Sequence, residues 1–212
     1  MSPRLFVDIE TLPCADPADA PPVTAPANYK DPEKIAAYVA EHAANAHRAT
    51  ALDHYSGRIL CIGAAVDDAE PTVFCGDDMF DGLLGLIEDL RYPVWVGHNI
   101  AGFDIRWLYL HARRARHDVA CHMPWDKWSK GIVDTMDLAM GPNPKGTPPR
   151  LATLAKFFGV ASKTEGIDGS KVYDFWLAGR HQEIYDYCAQ DVRVVRDVYR
   201  ALIGEWSPRG PF

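Results

Sequence analysis

An α/β layered domain, with a central mixed five-stranded sheet flanked by helices, is what the sequence predicts. Three observations carry that expectation. Strand-like apolar runs come first, at 5–8, 57–66 and 71–75, the last two joined by an acidic turn at Asp67 and Asp68. Helical and strand patterns then alternate along the rest of the chain, the order that lays helices against a sheet. The 212 residues show no internal repeat, P-loop or dinucleotide-binding glycine pattern.

Each element has its own reason. Residues 5–8 form a short apolar strand. Residues 13–31, rich in Pro, Ala and Asp, read as loop. Asp31 and Pro32 supply an N-cap and a first helical residue, and the Ala-rich run to residue 49 continues as helix. The runs GRILCIGAAV (57–66) and PTVFC (71–75) pair as a hairpin. DDMFDGLLGLIEDL (77–90) is an amphipathic helix, PVWVGHN (93–99) a buried strand, and FDIRWLYLHARRAR (103–116) a further helix. A short strand follows at 132–135. RLATLAKFFG (150–159) is a small helix stopped by Gly159, Ser170 caps another, and the last helix runs from about 182 to 202.

The chain is 48% hydrophobic and 24% charged, which suits one compact domain over residues 1–212. No apolar run has membrane-spanning length and no export signal opens the sequence, so a cytoplasmic protein without a membrane partner is expected. The five cysteines are scattered without a CxxC pair, as reduced thiols would be. A net charge of −7 excludes a protein that coats nucleic acid in general. It does not exclude an enzyme that holds divalent cations and needs only local basic groups. Arg113, Arg114, Arg116 and His117, with Lys127 and Lys130 after them, either supply such groups or form a solvated helix face.

The chemistry concentrates in three places. Asp8 and Glu10 alternate at the end of an apolar strand, so their carboxylates project to one side and repel. Either that end is solvated or something strongly positive lies between them. The other two D-x-E triplets, Asp31/Glu33 and Asp68/Glu70, fall in a helix start and a turn. On the last helix Asp191 sits inside the apolar stripe: Ile184, Val195 and Leu202 fall within about 40° of it on a 100° wheel. A carboxylate on a buried face needs an arginine, a metal or a proton. Tyr187, one turn earlier, shares that face. Asp104 lies in the first turn of a helix after the Gly97-His98-Asn99 turn, at the C-terminal end of a strand, where α/β domains place their sites. The eight histidines show no metal-ligand spacing. Oxygen-only ligands suit Mg²⁺ or Mn²⁺, and two such ions would stabilise the attacking and leaving oxygens of a phosphoryl displacement.

The segments DIET (8–11), NIAGFD (99–104) and YCAQD (187–191) resemble the three motifs of the DEDD 3′–5′ exonucleases. The Tyr187-x-x-x-Asp191 spacing resembles the tyrosine-containing branch. The Asn-x-x-x-Phe-Asp form is similar to the proofreading domains of family B DNA polymerases. LATLAKFFGV, DGSKV and AGRHQEIYDYCAQDV resemble stand-alone nucleases related to those domains. The resemblance spans about residues 4–203 and implies a ribonuclease H-like fold. It implies two Mg²⁺ or Mn²⁺ ions: one on Asp8, Glu10 and Asp191, and a second shared by Asp8 and supported by Asp104 directly or through water. Tyr187 would orient the attacking water, while Thr11, Leu12, His98, Asn99 and Phe103 would contact the substrate. The expected substrate is the 3′ end of single-stranded DNA, with RNA as the alternative, in replication or repair alongside a partner protein. A non-catalytic binding module of the same fold would be expected to lack one or more of the four acids, and here all stand with the tyrosine. Residues 13–55 depart from the family pattern as an insertion between the first two motifs.

Overall fold

The computed structural model describes residues 2–125, 131–161 and 166–205. Lys127 and Lys130 of the basic run lie outside these residues. Five strands, β1 Arg4–Leu12, β2 Arg58–Val66, β3 Thr72–Cys75, β4 Val94–Gly97 and β5 Ile132–Asp134, form one sheet in the order β3-β2-β1-β4-β5. The β1–β2 and β2–β3 pairs are antiparallel, and the β1–β4 and β4–β5 pairs are parallel. The sheet is therefore mixed, as the sequence predicts. Seven α-helices are described: α1 Pro32–Ala49, α2 Met79–Ile87, α3 Asp104–Arg114, α4 Thr135–Met140, α5 Leu151–Phe158, α6 Val172–Leu177 and α7 His181–Leu202.

β1 is the central strand, and its alternation sets the two layers. Leu5, Val7 and Ile9 pack with Trp95, Ile100 and Trp107 on the α2–α3 side. Phe6 turns to the other side and packs with Val192, Val195 and Tyr199 of α7. A period of two then puts Asp8 and Glu10 on the α7 side as well. Asp8 is paired across the sheet with Gly63 of β2. A Cβ at Gly63 would stand 2.8 Å from Cys188 Sγ and 2.9 Å from Val192 of α7. The missing side chain is what lets α7 lie close enough to bring residue 191 toward residue 8.

The sequence places Asp8 and Glu10 at the end of a short strand; the structure extends that strand past them. β1 continues to Leu12, pairing with β2 through a register shift between Glu10 and Thr11. A bulge of this kind re-aims side chains while the ladder continues. Two helical details also differ. Asp168, not Ser170, does the capping, accepting the Ser170 N–H at 3.0 Å at the start of a 3-10 turn that leads into α6. β5 stops at Asp134, and Thr135 opens α4, six residues being too few for a helical period to show.

Other expectations stand. Asp31 caps α1 by accepting the Glu33 N–H at 3.0 Å, with Pro32 first in the helix. Gly159 ends α5 in the left-handed conformation at φ 68°. Arg113, Arg114 and Arg116 are exposed on or just past α3; Arg113 lies over the Tyr109 ring and His117 Nε2 is 3.0 Å from Asp81. Among the described residues, no helix is long and apolar enough to cross a membrane.

Candidate active site

The two carboxylates of β1 meet the one on α7 where that helix crosses the centre of the sheet. One oxygen from each of Asp8, Glu10 and Asp191 lies within 4.8 Å of the other two. Asp8 Oδ2 is buried without a hydrogen-bond partner among the described residues. A buried carboxylate oxygen left in this state costs free energy unless a cation or proton reaches it. Among the described residues, the cavity these groups line, about 250 Å³, contains neither lysine nor arginine. Of the three ways to neutralise Asp191, an arginine is therefore absent from that wall.

The electrostatics follow from crowding in a dry place. Burial holds Asp8 well above the ordinary carboxylate range, reinforced by the charges of Asp191, Glu10 and Asp104. Burial raises Glu10 in the same way, followed by Cys61 and then by Asp191 and Asp104. Asp191 is pushed up to about 6 by burial, opposed by a hydrogen bond from the Tyr187 hydroxyl. Burial and the Asp191 charge raise Tyr187, so its hydroxyl stays protonated and donates. Oxygen donors in such a cluster match a hard divalent cation of the Mg²⁺ or Mn²⁺ type.

Asp104 is the fourth acid, and its setting differs. It is 4% exposed and its Oδ1 accepts the Ile9 N–H at 3.1 Å, which ties the start of α3 to β1. Burial raises it to about 8, against the backbone hydrogen bonds it accepts from itself and Ile9. It lines the same cavity but is outside the tight group of three.

All the sequence-predicted residues except Leu12 reach this cavity: Thr11, His98, Asn99, Phe103 and Tyr187 join the four acids on its wall. Leu12 is 2% exposed and packs instead with Ile167, Val172 and Ile184. His98 is held at both ring nitrogens, Nδ1 at 3.0 Å from Thr135 Oγ1 and Nε2 at 3.0 Å from the Pro149 carbonyl. Burial lowers its pKa, and the Pro149 carbonyl, which can only accept, takes the hydrogen bond from Nε2. Its nitrogens are thus engaged by protein, leaving the ring's carbons for any substrate contact.

Several residues at the site carry no signal that composition or periodicity would reveal. Asp134 is buried and accepts the N–H groups of Asn99 at 2.8 Å and Met136 at 2.9 Å. It fixes the turn in which Asn99 adopts φ 59°, a conformation asparagine tolerates. Ala51, Leu52 and Gly169 complete the cavity wall. A larger hollow of about 720 Å³ shares Gly169, Tyr187 and Asp191 and adds Arg150 and Ser170. An Asp directly before a short helix was the available cue for Asp134; the others arrive from distant segments.

Fold and site together define the class: a mixed α/β sheet carrying a carboxylate cluster suited to a divalent cation, on the central strand and the helix crossing it. Residues 66–199 match the family described as "Predicted 3'-5' exonuclease related to the exonuclease domain of PolB", and the chain belongs to that family. The matched stretch contains Asp104, Tyr187 and Asp191, while Asp8 and Glu10 precede it. A DNA polymerase of Archaeoglobus fulgidus is 23% identical over 147 residues, covering 63% of this chain and 18% of that polymerase. The family B DNA polymerase of the hyperthermophilic archaeon Pyrobaculum calidifontis shares the fold with a TM-score of 0.57 at 18% identity, over 96% of this chain and 25% of the polymerase chain. The chain thus spans a quarter or less of the length of these polymerases. The fold is the ribonuclease H-like one the sequence predicts.

Proposed function

We propose that the protein is a metal-dependent 3′–5′ exonuclease of the tyrosine-containing DEDD branch, acting on single-stranded DNA ends. The observation that carries this reading is the group of three carboxylates within 4.8 Å, with Tyr187 hydrogen-bonded to Asp191 beside it. Asp8, Glu10 and Asp191 would hold one Mg²⁺ or Mn²⁺, and Asp8 with Asp104 a second. Such ions, when bound, lower the pKa of water and stabilise charge on a phosphate. Tyr187 keeps its proton and orients the water by hydrogen bonding. Asn99 and Phe103 shape the space for the terminal nucleotide, and Arg150 offers a cation to the strand's phosphates in the adjoining hollow. That the relatives are named DNA polymerases favours DNA over RNA. The chain reads as one nuclease domain with residues 13–55 inserted, meeting its DNA beside a replication or repair partner.

End-labelled single-stranded DNA and RNA of matched sequence test this. A 5′-labelled DNA strand shortens stepwise in Mg²⁺ or Mn²⁺, is untouched in excess chelator, and resists when its 3′ end is blocked. Full activity in chelator would sink the mechanism. Rapid cutting of circular single strands would make the enzyme an endonuclease, and faster loss of RNA would reassign its substrate.

Tyr187→Phe separates the tyrosine from the acids. The ring and its packing remain, and the hydroxyl that donates to Asp191 without metal and would bond the nucleophile is lost. Such a bond contributes on the order of 1.5–3 kcal/mol, so the rate falls roughly ten- to a hundred-fold. Metal titration stays near normal. Unchanged activity would make Tyr187 a packing residue only.

A further inference from the structure

The segment between β1 and β2 reaches into the candidate active site. After α1 the chain makes a 3-10 turn, Thr50–Leu52, and a buried network fixes that turn in place. Thr50 is 2% exposed; its hydroxyl donates to the His47 carbonyl at 2.6 Å and accepts the Cys14 N–H at 2.9 Å. His47 Nε2 donates to the Cys14 carbonyl at 2.9 Å. The Thr11 hydroxyl, on the strand that carries Asp8 and Glu10, donates to the Ala51 carbonyl at 2.6 Å. The turn is therefore pinned to the acid-bearing strand from two sides.

What this anchored turn displays is Leu52. Its side chain lines the same cavity as Asp8, Glu10 and Phe103, yet the residue is 74% exposed. Exposed leucines are ordinary on protein surfaces. This one differs because hydrogen bonds among buried groups hold its turn on the wall of a carboxylate-lined cavity, where, among the described residues, the other large apolar side chains are Ile9, which faces the core, and Phe103. An apolar group held ready at the rim of an acidic site has a use only if part of the ligand is apolar. In a nucleotide the phosphate and sugar are polar, and the faces of the base are not.

We propose that Leu52 is a specificity-determining residue that packs against the base of the 3′-terminal nucleotide. The proposal rests on the exonuclease reading above. Contact with a base face is indifferent to which base it is, because every base has one. It does require a base free of its neighbours' stacking. Leu52 thereby selects ends that are single-stranded or frayed, and gives the segment 13–55 a part in choosing substrate.

The test uses two single-stranded oligonucleotides that differ only in whether the 3′-terminal nucleotide carries its base. Each is bound by the full chain in Ca²⁺ and shortened by it in Mg²⁺. Wild type favours the base-bearing end by about tenfold, the worth of burying an apolar contact of this size. Leu52→Ala loses most of that preference by weakening the base-bearing complex, and Leu52→Met restores it. The exposed side chain contributes little to folding, and thermal unfolding of both variants at the wild-type temperature verifies this. Leu52→Ala with the wild-type preference, or with equal losses on both ends, would overturn the proposal, as would a wild type without any preference. A wild type that neither binds nor shortens either strand would overturn the exonuclease reading itself.

Discussion

Asp8→Ala abolishes nuclease activity, lowering the rate by about three orders of magnitude or more, while the metal-free protein stays folded. The expectation follows from where Asp8 stands. It lies on the central strand of the sheet, opposite Gly63, with one oxygen buried and unpartnered and the other acids gathered about it. In the proposed mechanism it is the carboxylate common to both ions, and metal-ion catalysis contributes several kcal/mol, at one tenfold step per 1.36 kcal/mol. Removing a crowded carboxylate does not unfold the protein, because burial and like charges already disfavour it. Two measurements check this together: single-turnover removal of the terminal nucleotide, and Mn²⁺ titration by calorimetry. Activity within tenfold of wild type, or unchanged Mn²⁺ binding, would move the metal site elsewhere.

The metal-free protein loses stability as pH rises from about 5 to 8, and divalent cations reverse the loss. The sign comes from the carboxylates. All four sit above their ordinary range in the folded state, Asp191 at about 6 and Asp104 at about 8. Between the unfolded values near 4 and these folded values, the folded state binds more protons than the unfolded one, so raising the pH favours unfolding. Below pH 4 the groups are protonated in both states and the penalty disappears. In chelator the melting temperature should fall by about 5 °C or more over this window, given roughly 2–4 °C per kcal/mol in a domain of this size. Asp191→Asn removes the portion of the loss that falls between about pH 4 and 6, leaves the metal-free protein at least as stable as wild type, and is inactive. Millimolar Mn²⁺ raises the melting temperature of wild type more at pH 8 than at pH 5, since binding competes with protons. A metal-free melting temperature that rises from pH 5 to 8 would mean a buried cation already pairs with these acids. So would a marked destabilisation of Asp191→Asn.

What could be read in advance was whatever repeats over short distances. The alternation in LFVDIE places Asp8 and Glu10 on one face, and the 3.6-residue period of the last helix strands Asp191 and Tyr187 on its apolar stripe. Both relations are local, and both hold in the folded chain. The reach of β1 was not legible, because its second half is kept extended by β2 across a bulge rather than by its own composition. The strand order places β1 between two partners far from it in sequence, which no local pattern records. Leu12 has the look of a site residue from its place after DIET, yet it falls on the opposite side of the bulge and into the core. Leu52 and Asp134 matter through hydrogen bonds that span the chain, such as Thr11 to Ala51 and Asn99 to Asp134. Nothing near Leu52 in sequence announces it, and Asp134 offers only its place before a short helix.

The meeting of β1 with α7 also bears on when the candidate site comes together during synthesis. Asp8 and Glu10 precede Asp191 by more than 180 residues, so a ribosome extrudes them well before it. Contacts of such long sequence separation form late, after the loop between them has closed. A nascent or misfolded chain therefore presents, at most, half a metal site. The group of three carboxylates is complete only when α7 docks across Gly63, so assembly of the candidate site and completion of the fold coincide. A chain clipped anywhere that frees α7 loses that cluster in the same stroke.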